Sequence, residues 1–239
     1  MVLIHVLYTK LWEKAVRANG REPHETSLRV SMTRIVLVRH GQTEWNRVER
    51  FRGQADVPLD QTGLAQAEAT ARRIASEWRP VAVYSSPLSR AVRTAEAIAQ
   101  QFGLPVQTHR GLTDINYGQW QGMTLDEARI RWPVMVDDWY HKPETAQIPG
   151  GETLNHLRVR VMETVRELAT RHQGTTIVLV GHTVVNRVIL LGILGLPNHR
   201  FWRLRQDTCA INVFEVDGEG EDFTLVSMND TCHLRGLVG

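Results

Sequence analysis

Two short runs, Ile35-Val-Leu-Val38 and Ile177-Val-Leu-Val180, are apolar and rich in β-branched residues, with no polar alternation. This pattern predicts strands buried on both faces, as in a parallel sheet covered by helices on each side. Val81-Ala-Val-Tyr84 is a shorter run of the same kind. The intervening segments change period. Thr62 to Trp78 carries Leu64, Ala67, Ala71, Ile74 and Trp78 at helical spacing, and Thr153 to Arg171 does the same with Leu154, Leu157, Val161, Val165 and Leu168. Ser86-Pro87 reads as an N-cap followed by proline at the first helical position, opening a helix that runs to about Gly103. Val184 to Leu194 is a more apolar helix. Ala210–Val216 and Phe223–Val226 read as late strands, joined across a polar turn at 217–222 into an antiparallel hairpin. Strands alternating with helices predict an α/β fold, three layers deep, with a mainly parallel central sheet.

Composition narrows the class. With 239 residues, 42% hydrophobic and 23% charged, the chain is neither disordered, collagen-like nor a disulfide scaffold. It is long enough to bury a core without metal or disulfide staples. A net charge of +2 is too small to point to nucleic acid or acidic membranes, so neither is expected as a partner. Arginine outnumbers lysine 25 to 3. Guanidinium forks grip phosphate bidentately, though genomic base bias yields the same ratio. Cys209 and Cys232 form no C-x-x-C or metal spacing and read as two small buried residues in a reducing, cytoplasmic setting. The apolar start, Met1 to Tyr8, stops at Thr9-Lys10, well short of a membrane span. Beyond a short helix at Leu11 to Ala18, residues 1–31 lack periodicity, and Met32 directly precedes the first strand. Residues 1–31 are therefore expected to be a poorly ordered extension, and 32–239 the domain.

Both buried runs end in a histidine: Val38-Arg39-His40-Gly41 and Val180-Gly181-His182-Thr183. In open α/β sheets ligands bind at the carboxyl ends of strands, so two such histidines can face one another if their strands are neighbours. Metal binding is disfavoured, because no third histidine or carboxylate stands nearby at ligand spacing.

Leu37-Val-Arg-His-Gly-Gln-Thr-Glu-Trp-Asn46 resembles the L-x-R-H-G-[E/Q]-x-x-x-N signature of the histidine phosphatase, or phosphoglycerate mutase-like, superfamily. The similarity continues in order through Phe51-Arg-Gly-Gln-Ala-Asp-Val-Pro-Leu59, Ser85 to Ala95, Leu112 to Gly122, Pro149-Gly-Gly-Glu152 and Gly181-His-Thr183. It covers the chain from about Arg34 onward. The resemblance implies phosphoryl transfer through a phosphohistidine, without metal or cofactor. On that reading His40 is the nucleophile, Arg39 and Arg90 clamp the phosphoryl oxygens, His182 donates to them as imidazolium, and Asp114 is the proton donor. Gly41 admits backbone close to the phosphate, and Asn46, Gly53, Gln54 and Thr183 complete the substrate site. Asp114 departs from the usual glutamate by one methylene.

The family contains phosphatases and mutases. About thirty residues separate Gly118 from Gly151, and Gly122-Met-Thr-Leu125 stands where mutases carry a lysine-bearing stretch. Trp132, Met135, Trp139 and Tyr140 in this short lid imply a partly apolar pocket. Hydrolysis of small organic phosphomonoesters is therefore expected. Cofactor-dependent phosphoglycerate mutase is the first alternative, and a non-catalytic binder of phosphorylated ligands on the same fold is the second.

Overall fold

The computed structural model describes residues 32–218 and 220–237; the extension expected over residues 1–31 lies outside them. In chain order the described elements are β1 (Thr33–Arg39), α1 (Glu44–Arg47), α2 (Gln61–Glu77), β2 (Ala82–Ser85), α3 (Ser89–Gln100), β3 (Val106–Thr108), α4 (Leu125–Arg131), α5 (Pro133–His141), α6 (Leu154–Arg171), β4 (Thr176–Gly181), α7 (Thr183–Ile193), β5 (Ile211–Val216) and β6 (Phe223–Asp230). Short 3₁₀ turns stand at Arg110–Leu112, Gly118–Trp120, Asn198–Arg203 and Cys232–Leu234.

The strands form one sheet in the order β3-β2-β4-β1-β5-β6. The β3–β2, β2–β4 and β4–β1 ladders are parallel, and β1–β5 and β5–β6 are antiparallel. The absence of alternation in the apolar runs has a direct cause, because both faces are covered. Ile35, Leu37, Ile177 and Leu179 pack on one side with Leu157, Val161 and Val165 of α6 and Val185, Val188 and Ile189 of α7. Val36, Val38, Val178 and Val180 pack on the other with Ala67, Ala71 and Ile74 of α2 and Ala91, Ala95 and Ile98 of α3. The three-layer arrangement follows from that division. No helix among the described residues is long and apolar enough to cross a membrane.

Three local expectations change. Ser86 does not cap α3. Its amide still donates to Val180 O at 3.0 Å, continuing the sheet, and its hydroxyl accepts from the amide of Leu88. The helix starts at Ser89 instead. The inner face of α2 is Gly63, Gln66, Ala67, Thr70, Ala71 and Ile74, with Leu64 only half-buried and Trp78 as the C-cap. Cys209 is buried as expected, but Cys232 is exposed at the turn beyond β6, where its amide is held by Asp230 Oδ1 at 2.9 Å.

Candidate active site

The parallel register of β1 and β4 aligns Arg39 with Gly181, so the next residues along, His40 and His182, leave adjacent strands side by side. Their rings lie 5.1 Å apart between centroids, tilted by 58°. The sheet connectivity reverses here, with β4 reached across one layer and β5 entering antiparallel on the other side of β1. Such a switch point leaves a crevice at the strand ends.

His40 is 1% exposed and its Nδ1 lies 2.6 Å from Gly41 O. A carbonyl only accepts, so Nδ1 carries the proton and Nε2 keeps the lone pair. Burial, then the positive charges of Arg90, Arg39 and Arg52 and the nearby His182, hold His40 well below the usual imidazole range. His182, fully buried, is lowered by burial and by Arg90, Arg52 and Arg39. Neither of its ring nitrogens has a hydrogen bond among the described residues; Nδ1 stands 3.6 Å from Asp114 Oδ2. Both rings are thereby biased toward the neutral form, and the negative charge of a bound anion would favour an imidazolium at His182.

Arg90 comes from the first turn of α3 and is completely buried. It donates to Gly53 O and Ala55 O, each at 2.7 Å, and approaches Asp114 Oδ2 at 3.4 Å. It therefore ties the 53–55 loop to the acid. Asp114 accepts the amide of Ile115 at 2.9 Å through Oδ1. Burial raises its pKa, opposed by Arg90 and Arg52. The irregular segment bearing Asp114 is fixed by Arg160 of α6, which donates to Gly111 O (2.8 Å) and Thr113 O (2.9 Å) and forks onto Glu152. Arg39 donates to Gln206 O at 2.6 Å; burial, then Arg52 and Arg187, bring its pKa down to about 9.

A cavity of about 370 Å³ opens over these groups, and Arg39, Asn46, Gly53, Asp114 and Thr183 line it. Asn46 Oδ1 accepts from the amide and hydroxyl of Thr43, which leaves its NH₂ as the end available to a ligand. His40, His182 and Arg90 are buried and do not belong to its lining. Two expected residues stand elsewhere. The amide of Gly41 donates to Thr94 Oγ1, and the position needs glycine because a Cβ would lie 2.5 Å from Gly63 O. Gln54 is exposed and braces the acid segment through Asp114 O at 3.2 Å.

The sequence profile of the histidine phosphatase superfamily (branch 1) matches residues 35–231. The chain belongs to that family. It is 37% identical over 208 residues to a metal-independent phosphoserine phosphatase of Arabidopsis thaliana, covering 86% of this chain and 85% of that one. It is 33% identical over 203 residues to phosphoserine phosphatase 1 of Hydrogenobacter thermophilus, covering 85% and 95%. Its fold matches a mycobacterial glucosyl-3-phosphoglycerate phosphatase with a TM-score of 0.76 at 27% identity, over 84% of this chain and all of that one. This histidine phosphatase is a phosphomonoester hydrolase.

Reading the motifs left out part of the phosphatase's pocket. Arg52 stands inside the Phe51–Leu59 segment, yet its place in the cavity lining carries no pattern of its own. Arg187 lies on α7, whose apolar composition masks it. Of the three lid aromatics and one methionine expected at the pocket, Trp139 and Tyr140 line it. Trp132 packs on the core instead, and Met135 is 39% exposed on the outer side of α5. Phe201 and Trp202, from the 3₁₀ turn after α7, complete the aromatic wall. Trp202 Nε1 donates to Trp139 O at 2.8 Å, and Tyr140 stacks on Trp202 at 4.8 Å.

Proposed function

We propose that the protein hydrolyses small organic phosphomonoesters through a phosphohistidine on His40, with no metal or cofactor taking part. One observation carries this reading: His40 presents Nε2 as a free lone pair because its Nδ1 proton is held by Gly41 O, beside a second buried imidazole and among three arginines. The Nε2 lone pair attacks phosphorus and the P–O bond to the alcohol breaks. Asp114, whose pKa burial raises, delivers a proton to the departing oxygen. The resulting Asp114 carboxylate then takes a proton from water as that oxygen attacks the phosphohistidine, which releases phosphate and restores both groups.

Arg39, Arg52 and Arg90 supply fixed positive charge for the equatorial oxygens, the main source of rate in phosphoryl transfer. His182, with both nitrogens unpartnered, is drawn into the protonated, donating form by the phosphoryl dianion. Asn46 offers its NH₂ and Thr183 its place at the start of α7.

The test is phosphate release from a panel of phosphomonoesters, measured in the presence of a chelator. The wild type is expected to turn over, and His40→Ala to lose at least about 10⁴-fold in kcat. Absence of release from every substrate, with phosphate binding retained, would favour the binder. Interconversion of 2- and 3-phosphoglycerate with little net hydrolysis would favour the mutase.

A further inference from the structure

Asp114 stands on a stretch without regular structure: residues 113–117 lie between two 3₁₀ turns and belong to neither the sheet nor a helix. The two histidines instead leave adjacent strands of the sheet. A general acid acts only within hydrogen-bond reach of the departing oxygen, so this stretch must be held at a fixed distance from those strands. Aspartate sharpens the demand, because its short side chain has little length with which to absorb a displaced backbone.

Arg160 and Glu152, neither of which lines the cavity, meet that demand. Arg160 Nη1 donates to Gly111 O at 2.8 Å and to Thr113 O at 2.9 Å, before Asp114 in the chain. Its Nε and Nη2 fork onto the two carboxylate oxygens of Glu152 at 3.1 and 2.8 Å. Glu152 holds the stretch after Asp114. Its amide donates to Asn116 O at 2.8 Å, and its Oε2 accepts the amide of Asn116 at 3.4 Å. One ion pair thus brackets the acid at 113 and at 116. A guanidinium is planar and rigid, so it fixes the carbonyls and the carboxylate relative to one another. Arg160 itself is set in α6 between Leu157 and Val161, fully buried members of the cluster that includes Leu37 and Leu179. Leu37 and Leu179 lie on the strands that lead into His40 and His182. Through α6, the position of those strands is passed to the acid.

We propose that Arg160 and Glu152 are positioning residues for proton delivery, holding Asp114 at its distance from the two histidines without touching substrate. The proposal rests on the hydrolase reading above and adds the part of the fold that places its acid. Displacing Asp114 weakens only the step that needs its proton, whereas a general loosening of the site weakens attack on every substrate. The charge of Arg160 also bears on His182, but that effect falls on the phosphoryl group and is common to all substrates.

The quantity kcat/KM covers events up to phosphohistidine formation, and so isolates proton delivery to the leaving group. It is measured for the best alkyl phosphate of the panel and for p-nitrophenyl phosphate, whose leaving group needs no proton. Arg160→Gln is expected to lower it by about 10²-fold for the alkyl ester and by about threefold or less for the aryl ester. Glu152→Gln keeps the backbone contact to Asn116 but loses the ion pair. It is expected to move the alkyl-to-aryl ratio the same way by about tenfold, and it serves if Arg160→Gln does not fold. Arg160→Lys keeps the charge without the fork and is expected to leave the alkyl reaction impaired. In an Asp114→Asn background, Arg160→Gln is expected to cost the alkyl ester only about threefold more, because no proton is left to place. Equal losses with both esters in Arg160→Gln and Glu152→Gln overturn the proposal, as does full additivity with Asp114→Asn. Either result leaves the hydrolase reading standing. A wild type that hydrolyses neither ester, or an Asp114→Asn enzyme without leaving-group dependence, defeats that reading and the proposal with it.

Discussion

Burial moves His40 and Asp114 in opposite directions, and that contrast suits the proposed nucleophile and acid. It disfavours the charged form of each, so the imidazole falls well below 6.5 and the carboxyl rises above 3.8. The proposed mechanism needs neutral His40 and protonated Asp114 in the free enzyme, and both shifts favour those forms. The acid limb of kcat/KM is therefore expected below pH 6.5, and the alkaline limb is expected to disappear in Asp114→Asn. That variant should also lose most with alkyl phosphates and least with activated aryl phosphates, whose leaving groups need no proton. Equal loss across leaving groups, in a pH series with both substrate types, would argue against the acid role. The same shift bears on stability. As pH falls from above 6.5, the unfolded chain binds protons at His40 and His182 before the folded one does. Their contribution is therefore full above 6.5 and is lost as the pH drops toward the folded values. Arg39, His40, Arg90, Asp114 and His182 were legible in the sequence because each sits at a fixed offset in an ordered motif. Arg187 and Trp202 were not. An arginine on an apolar helix and a tryptophan in a 3₁₀ turn are brought together at the cavity wall only by tertiary packing.

At the level of elements, the site depends on how closely α2 approaches the loop after β1. A Cβ on Gly41 would lie 2.5 Å from Gly63 O, and one on Gly63 would lie 2.1 Å from Gln42 O. Gly41→Ala is expected to cost about 1–3 kcal/mol by forcing those backbones apart. It should also lower turnover, because Gly41 O fixes the His40 ring. Urea unfolding measures the first effect, and an unchanged midpoint would show that the contact is not tight. The long helices and buried strands could be read from periodicity because burial imposes it. The start of α3 could not, because Ser86 is held in the sheet by Val180 O, a tertiary hydrogen bond that overrides the local capping signal. The three-residue edge strand β3 has too little apolar pattern to announce itself.

For the whole molecule, strand order does what no local pattern states: it makes β1 and β4 neighbours and so brings His40 and His182 together from residues 142 positions apart in sequence. The charge balance sharpens the same point. Outside residues 1–31 the chain carries 23 basic and 23 acidic side chains. Positive potential at the site is therefore local, created by the convergence of Arg39, Arg52 and Arg90 at one switch point, and net charge contributes little. The central claim is covalent catalysis at His40. Rapid quenching of the wild type with a phosphomonoester labelled in its phosphoryl group tests it most directly. An acid-labile, alkali-stable label is expected on His40, forming and decaying at rates compatible with turnover and missing in His40→Ala. Steady turnover with no labelled protein at any quench time, or label retained in His40→Ala, would contradict it.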